Sequence, residues 1–221
     1  MRMKPTKALL LMIGLAAFGC VASSAQVGAA VRGASQTDVA VSLYGAFNGA
    51  TSGNNTAQSP SNAAGGIVEL RYIGSPIVGF EAAYSFNRAN EDYSYNGAIP
   101  LVCPVGGTCG APAPVSVHAN AHEISGDWVA SLGIANLRPF ALAGVGLLLD
   151  QPTSGQSNTS TSTKPVFVYG AGLDWGLLPH IGLRLQYRGN LYKAPDLTTL
   201  YTSTDAFTHT AEPMLGAYFR F

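Results

Sequence analysis

Beyond Gln36, apolar and polar side chains alternate with a period of two in runs of about ten residues, and no segment shows the three-and-four spacing of an amphipathic helix. Such a chain is restricted to half-buried β-strands. In Ile77 to Asn87, Val78, Phe80, Ala82, Tyr84 and Phe86 share one face, and Gly79, Glu81, Ala83, Ser85 and Asn87 share the other. Ile181 to Asn190 sets Ile181, Leu183, Leu185 and Tyr187 against Gly182, Arg184, Gln186 and Arg188, and Phe167 to Trp175 follows the same rule. Five more strands are expected: Asp38 to Asn48, Ile67 to Ile73, His118 to Leu132, Pro139 to Leu149 and Ala211 to Phe221, making eight. Pro139 to Leu149 is apolar on both faces, so pattern does not orient it; Phe140 and Leu142 are provisionally placed outward.

Ten charged residues lie within these strands: Glu69, Arg71, Glu81, Glu123, Asp127, Asp174, Arg184, Arg188, Glu212 and Arg220. Each falls on the polar face, which helped to define that face. A soluble barrel or sandwich would turn the apolar face inward. A membrane barrel does the reverse, because hydrocarbon accepts apolar side chains and closure leaves no unpaired backbone groups.

Two features favour the membrane arrangement. Connections alternate between long (Gly49 to Gly66, Arg88 to Val117, Asp150 to Lys164, Leu191 to Thr210) and short (Gly74 to Pro76, Gly133 to Arg138, Leu177 to His180), as outer loops and periplasmic turns do in outer-membrane barrels. Tyr72, Phe80, Trp128, Trp175, Phe219 and Phe221 then fall near the short-turn rim on the outward face, forming an aromatic girdle.

Composition agrees. Only 11% of the 221 residues are charged while 47% are hydrophobic, and twelve basic residues cancel twelve acidic ones. Too little charge is present to coat a soluble domain, and no basic face exists to neutralise nucleic acid.

Arg2, Lys4 and Lys7 precede the apolar run Ala8 to Gly19 and the small residues Val21 to Ala25, the pattern of an export signal cleaved after Ala25. The apolar run is shorter than the ~20 residues of a membrane helix. Residues 26–37 are expected to form an N-terminal periplasmic segment and 38–221 the barrel. Cleavage leaves Cys103 and Cys109, in the Gly/Pro-rich second outer loop; in an exported chain they read as a disulfide, with metal binding by two isolated thiols the weaker alternative.

The signal, the alternating strands, Arg138-Pro139-Phe140-Ala141-Leu142-Ala143-Gly144-Val145-Gly146, Gly182 to Arg188, and the ending Gly216-x-x-Phe219-x-Phe221 resemble the OmpA/OmpX-type eight-stranded outer-membrane β-barrels. The resemblance covers nearly all the mature chain. It implies an all-β, antiparallel up-and-down transmembrane barrel in a bacterial outer membrane. Gly216, Phe219 and Phe221 would be the signal read by the barrel-assembly machinery, although Met214 stands where a polar residue is usual. Outer-membrane lipid and lipopolysaccharide are the implied surroundings, and the barrel is expected to be a monomer.

Eight strands enclose a lumen that side chains can fill. The ten charges are expected to form interior ion pairs, since an unpaired buried charge costs several kcal/mol. A turn centred near Ser75 sets Glu69 opposite Glu81 with Arg71 diagonal to Glu81, making Arg71 the expected neutraliser; a turn near Leu178 brings Arg184 diagonal to Asp174. His118 and His122 lie four residues apart on a strand, roughly 13 Å, too far to share a metal, and Ser125 and Glu123 point to the opposite face. Gly170-Ala171-Gly172 lacks nucleotide-loop spacing and fits close packing better. No catalytic, cofactor or metal residues are therefore expected. The role implied is envelope integrity or adhesion through four outer loops; the alternatives are a lipid-modifying enzyme or a narrow solute pore.

Overall fold

The computed structural model describes residues 35–74, 77–97, 113–153 and 155–221. The expected signal segment, nearly all of the expected N-terminal segment, and Cys103 and Cys109 lie outside the described residues. Among the described residues ten strands follow one another: β1 (Gln36–Asn48), β2 (Thr51–Gly53), β3 (Thr56–Pro60), β4 (Ala63–Ile73), β5 (Val78–Tyr95), β6 (Val115–Ser131), β7 (Leu137–Pro152), β8 (Ser162–Gly176), β9 (Ile181–Lys193) and β10 (Phe207–Arg220). Eight of them form a closed antiparallel barrel in the order β1-β4-β5-β6-β7-β8-β9-β10, with β10 returning to β1. β2 and β3 form a hairpin that pairs with the far end of β5.

The outer wall is apolar. Trp128 is 68% exposed, Phe80 46% and Leu183 38%, and Leu43, Val145, Leu185 and Leu215 also face away from the axis. In a soluble fold these side chains would be buried; here they meet hydrocarbon. β5 marks the upper limit of that band, because its outward residues Val78, Phe80, Ala82, Tyr84 and Phe86 give way to Arg88, Asn90 and Asp92. Val78 to Phe86 matches the ~9–11 residues that a tilted strand needs to cross a bilayer. The remainder of β5 projects beyond the membrane, where β3 adds to it.

Tyr72, Phe80, Trp128, Trp175, Phe219 and Phe221 all stand exposed on the wall near the short-turn end. Phe80 meets Trp128 edge to face at 6.0 Å, and Phe219 meets Phe221 at 5.2 Å. A second aromatic level lies toward the long-loop end, with Tyr84 bonded to His122 and Tyr169 to His209, each at 2.8 Å.

The structure corrects several expectations. Phe140 and Leu142 point inward, at 5% and 4% exposure, while Val145 and Leu147 face lipid. The inner face of β7 begins with Arg138 and ends with Asp150, so the charged ends carry the inward parity that the apolar middle conceals. Gly144 lies on this inner face; a Cβ there would collide with Asp127 of β6. Most strands also run further into the long loops than alternation suggested, and β1 begins at Gln36 rather than Asp38. Glu69 pairs with Ala83, not Glu81, and Arg71 sits directly opposite Glu81. Arg184 likewise sits directly opposite Asp174. Each turn is centred one residue later than expected, which shifts the cross-strand partner by two.

Pro213 has no N–H to donate. The β1–β10 register runs from Asp38↔Arg220 to Tyr44↔Met214 and resumes at Phe47↔Ala211, skipping the positions around the proline.

Candidate functional site

Inward positions of neighbouring strands converge on the axis, so polar residues at similar heights build a ring. At mid-height the ring contains Asp38, Glu69, Arg71, Glu81, Asp174 and Arg184, all at most 1% exposed. Arg71 donates from Nε to Glu81 (2.7 Å), approaches the same carboxylate through Nη2 (2.6 Å), and reaches Asp174 through Nη1 (3.3 Å). Arg184 holds Asp174 through Nε (2.8 Å) and Nη2 (3.1 Å), Asp38 through Nη2 (2.8 Å) and Glu69 through Nη1 (3.3 Å). Two guanidinium forks thus bind four carboxylates, the charge-assisted geometry for which arginine is suited. Phe140 closes the ring from β7: the Arg71 guanidinium lies 3.9 Å from its centroid and that of Arg184 lies 5.5 Å away.

A second level lies toward the loops. Arg188 donates from Nη2 to Glu123 (2.8 Å) and Ser125 (2.9 Å) and stands 3.8 Å from Asp127. Asn190 donates to Glu123 (2.9 Å), and Ser125 donates to Asp127 (2.9 Å). Above it a cavity of about 30 Å3, room for roughly one water molecule, is lined by Glu91, Glu123, Asp150 and Glu212 among others.

The long-loop end is closed by the chain between β9 and β10. Leu197 is fully buried in a cluster with Tyr93, Val117, Ala119 and Tyr201. The Tyr93 hydroxyl donates to the Pro195 carbonyl (2.9 Å) and accepts from the Leu197 amide (3.1 Å), while Gln58 bonds both Pro195 and Glu91. Lys164 ties the segment down through Asp196 at 2.7 Å. Burial pushes the Glu91 carboxyl up to about 8, against the opposing bond from Gln58. Burial also raises Tyr93, so its hydroxyl keeps the proton it donates.

Of the ten charges expected to pair inside, eight have an ionic partner: Glu69, Arg71, Glu81, Glu123, Asp127, Asp174, Arg184 and Arg188. Glu212 and Arg220 have none among the described residues. Asp38, Glu91, Asp150 and Arg138 also face the lumen and were absent from the expected set; their parity with neighbouring inward residues was available as a signal for Asp38, Arg138 and Asp150. His122 and His118 point to the wall, where His118 bonds Asn90, whereas Glu123 and Ser125 point to the axis. A His-Ser-carboxylate set cannot be assembled from these residues. Among the described residues no three His, Cys, Asp or Glu side chains converge on a metal-sized point.

The model of the outer membrane protein beta-barrel domain matches residues 13–219, and the chain belongs to that family. It is therefore a protein of the bacterial outer membrane. Solved structures share the fold. Neisserial surface protein A is 14% identical and aligns over 85% of this chain and 97% of its own, with a TM-score of 0.52. The outer membrane protein OprG from Pseudomonas aeruginosa is 11% identical over 85% and 96%, with a TM-score of 0.56. Ail, the attachment invasion locus protein of Yersinia pestis, solved with the heparin analogue sucrose octasulfate, is 15% identical over 86% and 100%, with a TM-score of 0.50. Comparison with curated proteins finds no sequence match.

Proposed function

We propose that this barrel is a non-enzymatic envelope protein that acts through its outer surface, as a structural element or an adhesin-like contact, rather than as a pore. The observation that carries this reading is the obstructed lumen: the Arg71–Glu81–Asp174–Arg184 ring fills the middle, and Leu197 with its tyrosine neighbours fills the long-loop mouth. Ions forming such a ring are held by several partners at once, so opening a path requires separating charges in a low-dielectric interior.

In this reading the short turns are periplasmic and the four long connections face outward. Residues 1–25 serve as the export signal and are removed, Cys103 and Cys109 are joined, and Gly216, Phe219 and Phe221 are read by the assembly machinery. The mature barrel works as a monomer surrounded by phospholipid and lipopolysaccharide. The outer connections are rich in Ser, Thr, Asn and Gly, which suits hydrogen bonding to glycans or to matrix proteins.

The test pairs two measurements on purified, refolded barrel. Planar-bilayer recordings are expected to show no stepwise conductance, and a binding screen against glycans, heparin-like polyanions and matrix proteins is expected to give a ligand lost when residues 194–206 are replaced by a short Gly/Ser turn. Regular conductance steps, or a ligand indifferent to every outer connection, would contradict the proposal.

A further inference from the structure

Among the described residues five arginines face the lumen, and they fall into two groups. Arg71, Arg184 and Arg188 each have a carboxylate oxygen within 2.8 Å. Arg138 and Arg220 have none within 4.0 Å among the described residues. Both line the same cavity at the short-turn mouth, about 350 Å3, with Asn136, Tyr218 and Asp174 also in its wall.

These two guanidinium groups are incompletely satisfied. Arg138 Nη1 and Arg220 Nε are buried and, among the described residues, donate to no acceptor. The side chain of Arg220 bonds only the Tyr218 hydroxyl (3.2 Å) among the described residues, with its guanidinium 5.2 Å from that ring. Asp174 lies more than 4.0 Å from both and is already engaged by two other arginines. Its Oδ1 already accepts from Arg184 Nε at 2.8 Å, and its Oδ2 accepts from Arg184 Nη2 at 3.1 Å and Arg71 Nη1 at 3.3 Å.

We propose that Arg138 and Arg220 form a binding site for a phosphate group at the short-turn mouth of the barrel. Two like charges in one partly desolvated cavity repel, and an anion between them replaces that repulsion with charge-assisted hydrogen bonds. A phosphate fits better than a carboxylate, because its additional oxygens and second negative charge let it take a pair of bonds from each of two guanidinium forks. The cavity accommodates a hydrated phosphate or the head of a phosphate ester. Leu177 and Leu178, half or more exposed on its rim, would admit the headgroup of a neighbouring phospholipid as readily as free phosphate.

The test uses the full chain refolded in dodecyl maltoside, with folding verified by heat-modifiable migration. Calorimetric titration with inorganic phosphate is run beside native mass spectrometry of barrel reconstituted with phosphatidylglycerol. Saturable phosphate binding, weakened at least tenfold in Arg138→Gln and in Arg220→Gln but retained in Arg138→Lys, identifies free phosphate as the ligand. Retained phosphatidylglycerol that is lost in the same two Gln variants, with little affinity for free phosphate, identifies a lipid headgroup. Absence of both, or binding unchanged by Arg138→Gln in a folded barrel, overturns the proposal. Refolding from urea keeps Arg220→Gln testable, because it bypasses the assembly signal near Phe219.

Discussion

The guanidinium of Arg71 lies 3.9 Å above the ring of Phe140 while its Nε closes on Glu81 at 2.7 Å, so one arginine joins β4, β5 and β7 across the lumen. The aromatic face supplies a partner on the side that has no carboxylate. A desolvated cation–π contact contributes about 2 kcal/mol. Phe140→Leu, which keeps the site apolar but removes the ring, is expected to lower unfolding free energy by about that amount in urea titrations in lipid vesicles. Ala143→Gly, on the lipid-facing side of the same strand, serves as the control. An unchanged midpoint for Phe140→Leu would mean that the ring merely fills space.

Arg184 is the most heavily engaged cation, and its loss leaves Asp38 and Glu69 without their ionic partner. Breaking a buried pair from one side costs about 3–5 kcal/mol. Arg184→Gln is therefore expected to destabilise the barrel by that much, or to block refolding. Adding Glu69→Gln should restore part of the loss, because it deletes one uncompensated charge. Strict additivity of the two effects in equilibrium unfolding would refute the coupling.

Much of this architecture was legible in the sequence. Period-two alternation located all eight staves, and the lengths of the connections identified the short-turn end. Orientation of β7 was not legible from its middle, because Phe140 and Leu142 are apolar for an interior reason: they pack inside the lumen, Phe140 directly beneath Arg71. Register was displaced because a one-residue error in a turn's centre moves every partner by two. The β2–β3 hairpin has only a local signal, in its turn residues. Asn54 and Asn55 both adopt positive φ, 50° and 59°, and consecutive asparagines suit a two-residue hairpin turn. The closure built on Leu197 has no periodic signature at all, since an irregular segment is placed by individual contacts.

That closure should respond to pH. Glu91 lies above the membrane band, and burial raises its carboxyl from the ordinary range to about 8. The folded state therefore holds this proton more tightly than the unfolded state. Stability from this group is present below the unfolded value and is lost as pH rises toward and through 8. Protection of the Leu197 amide, corrected for intrinsic exchange, is expected to fall between pH 6 and pH 9. Glu91→Gln should flatten that dependence. Equal pH sensitivity in the variant would assign the effect to another group.

The two tryptophans report depth. Trp128 and Trp175 stand exposed on the wall near the short-turn end. Each, observed alone after replacing the other with Phe, should be quenched more by lipids brominated close to the headgroup than by lipids brominated near the bilayer centre. The reverse order would displace the girdle from the interface.

The most direct measurement concerns which face meets hydrocarbon. Nitroxide labels are placed singly at Leu43, Val145 and Leu185, and at inward Ser42, in protein refolded into vesicles with Cys20, Cys103 and Cys109 replaced by serine. The three wall positions are expected to collide freely with oxygen and rarely with a water-soluble nickel chelate, whereas Ser42 should be shielded from oxygen. Wall positions open to the nickel chelate and shut to oxygen would contradict a barrel with lipid outside and ions within.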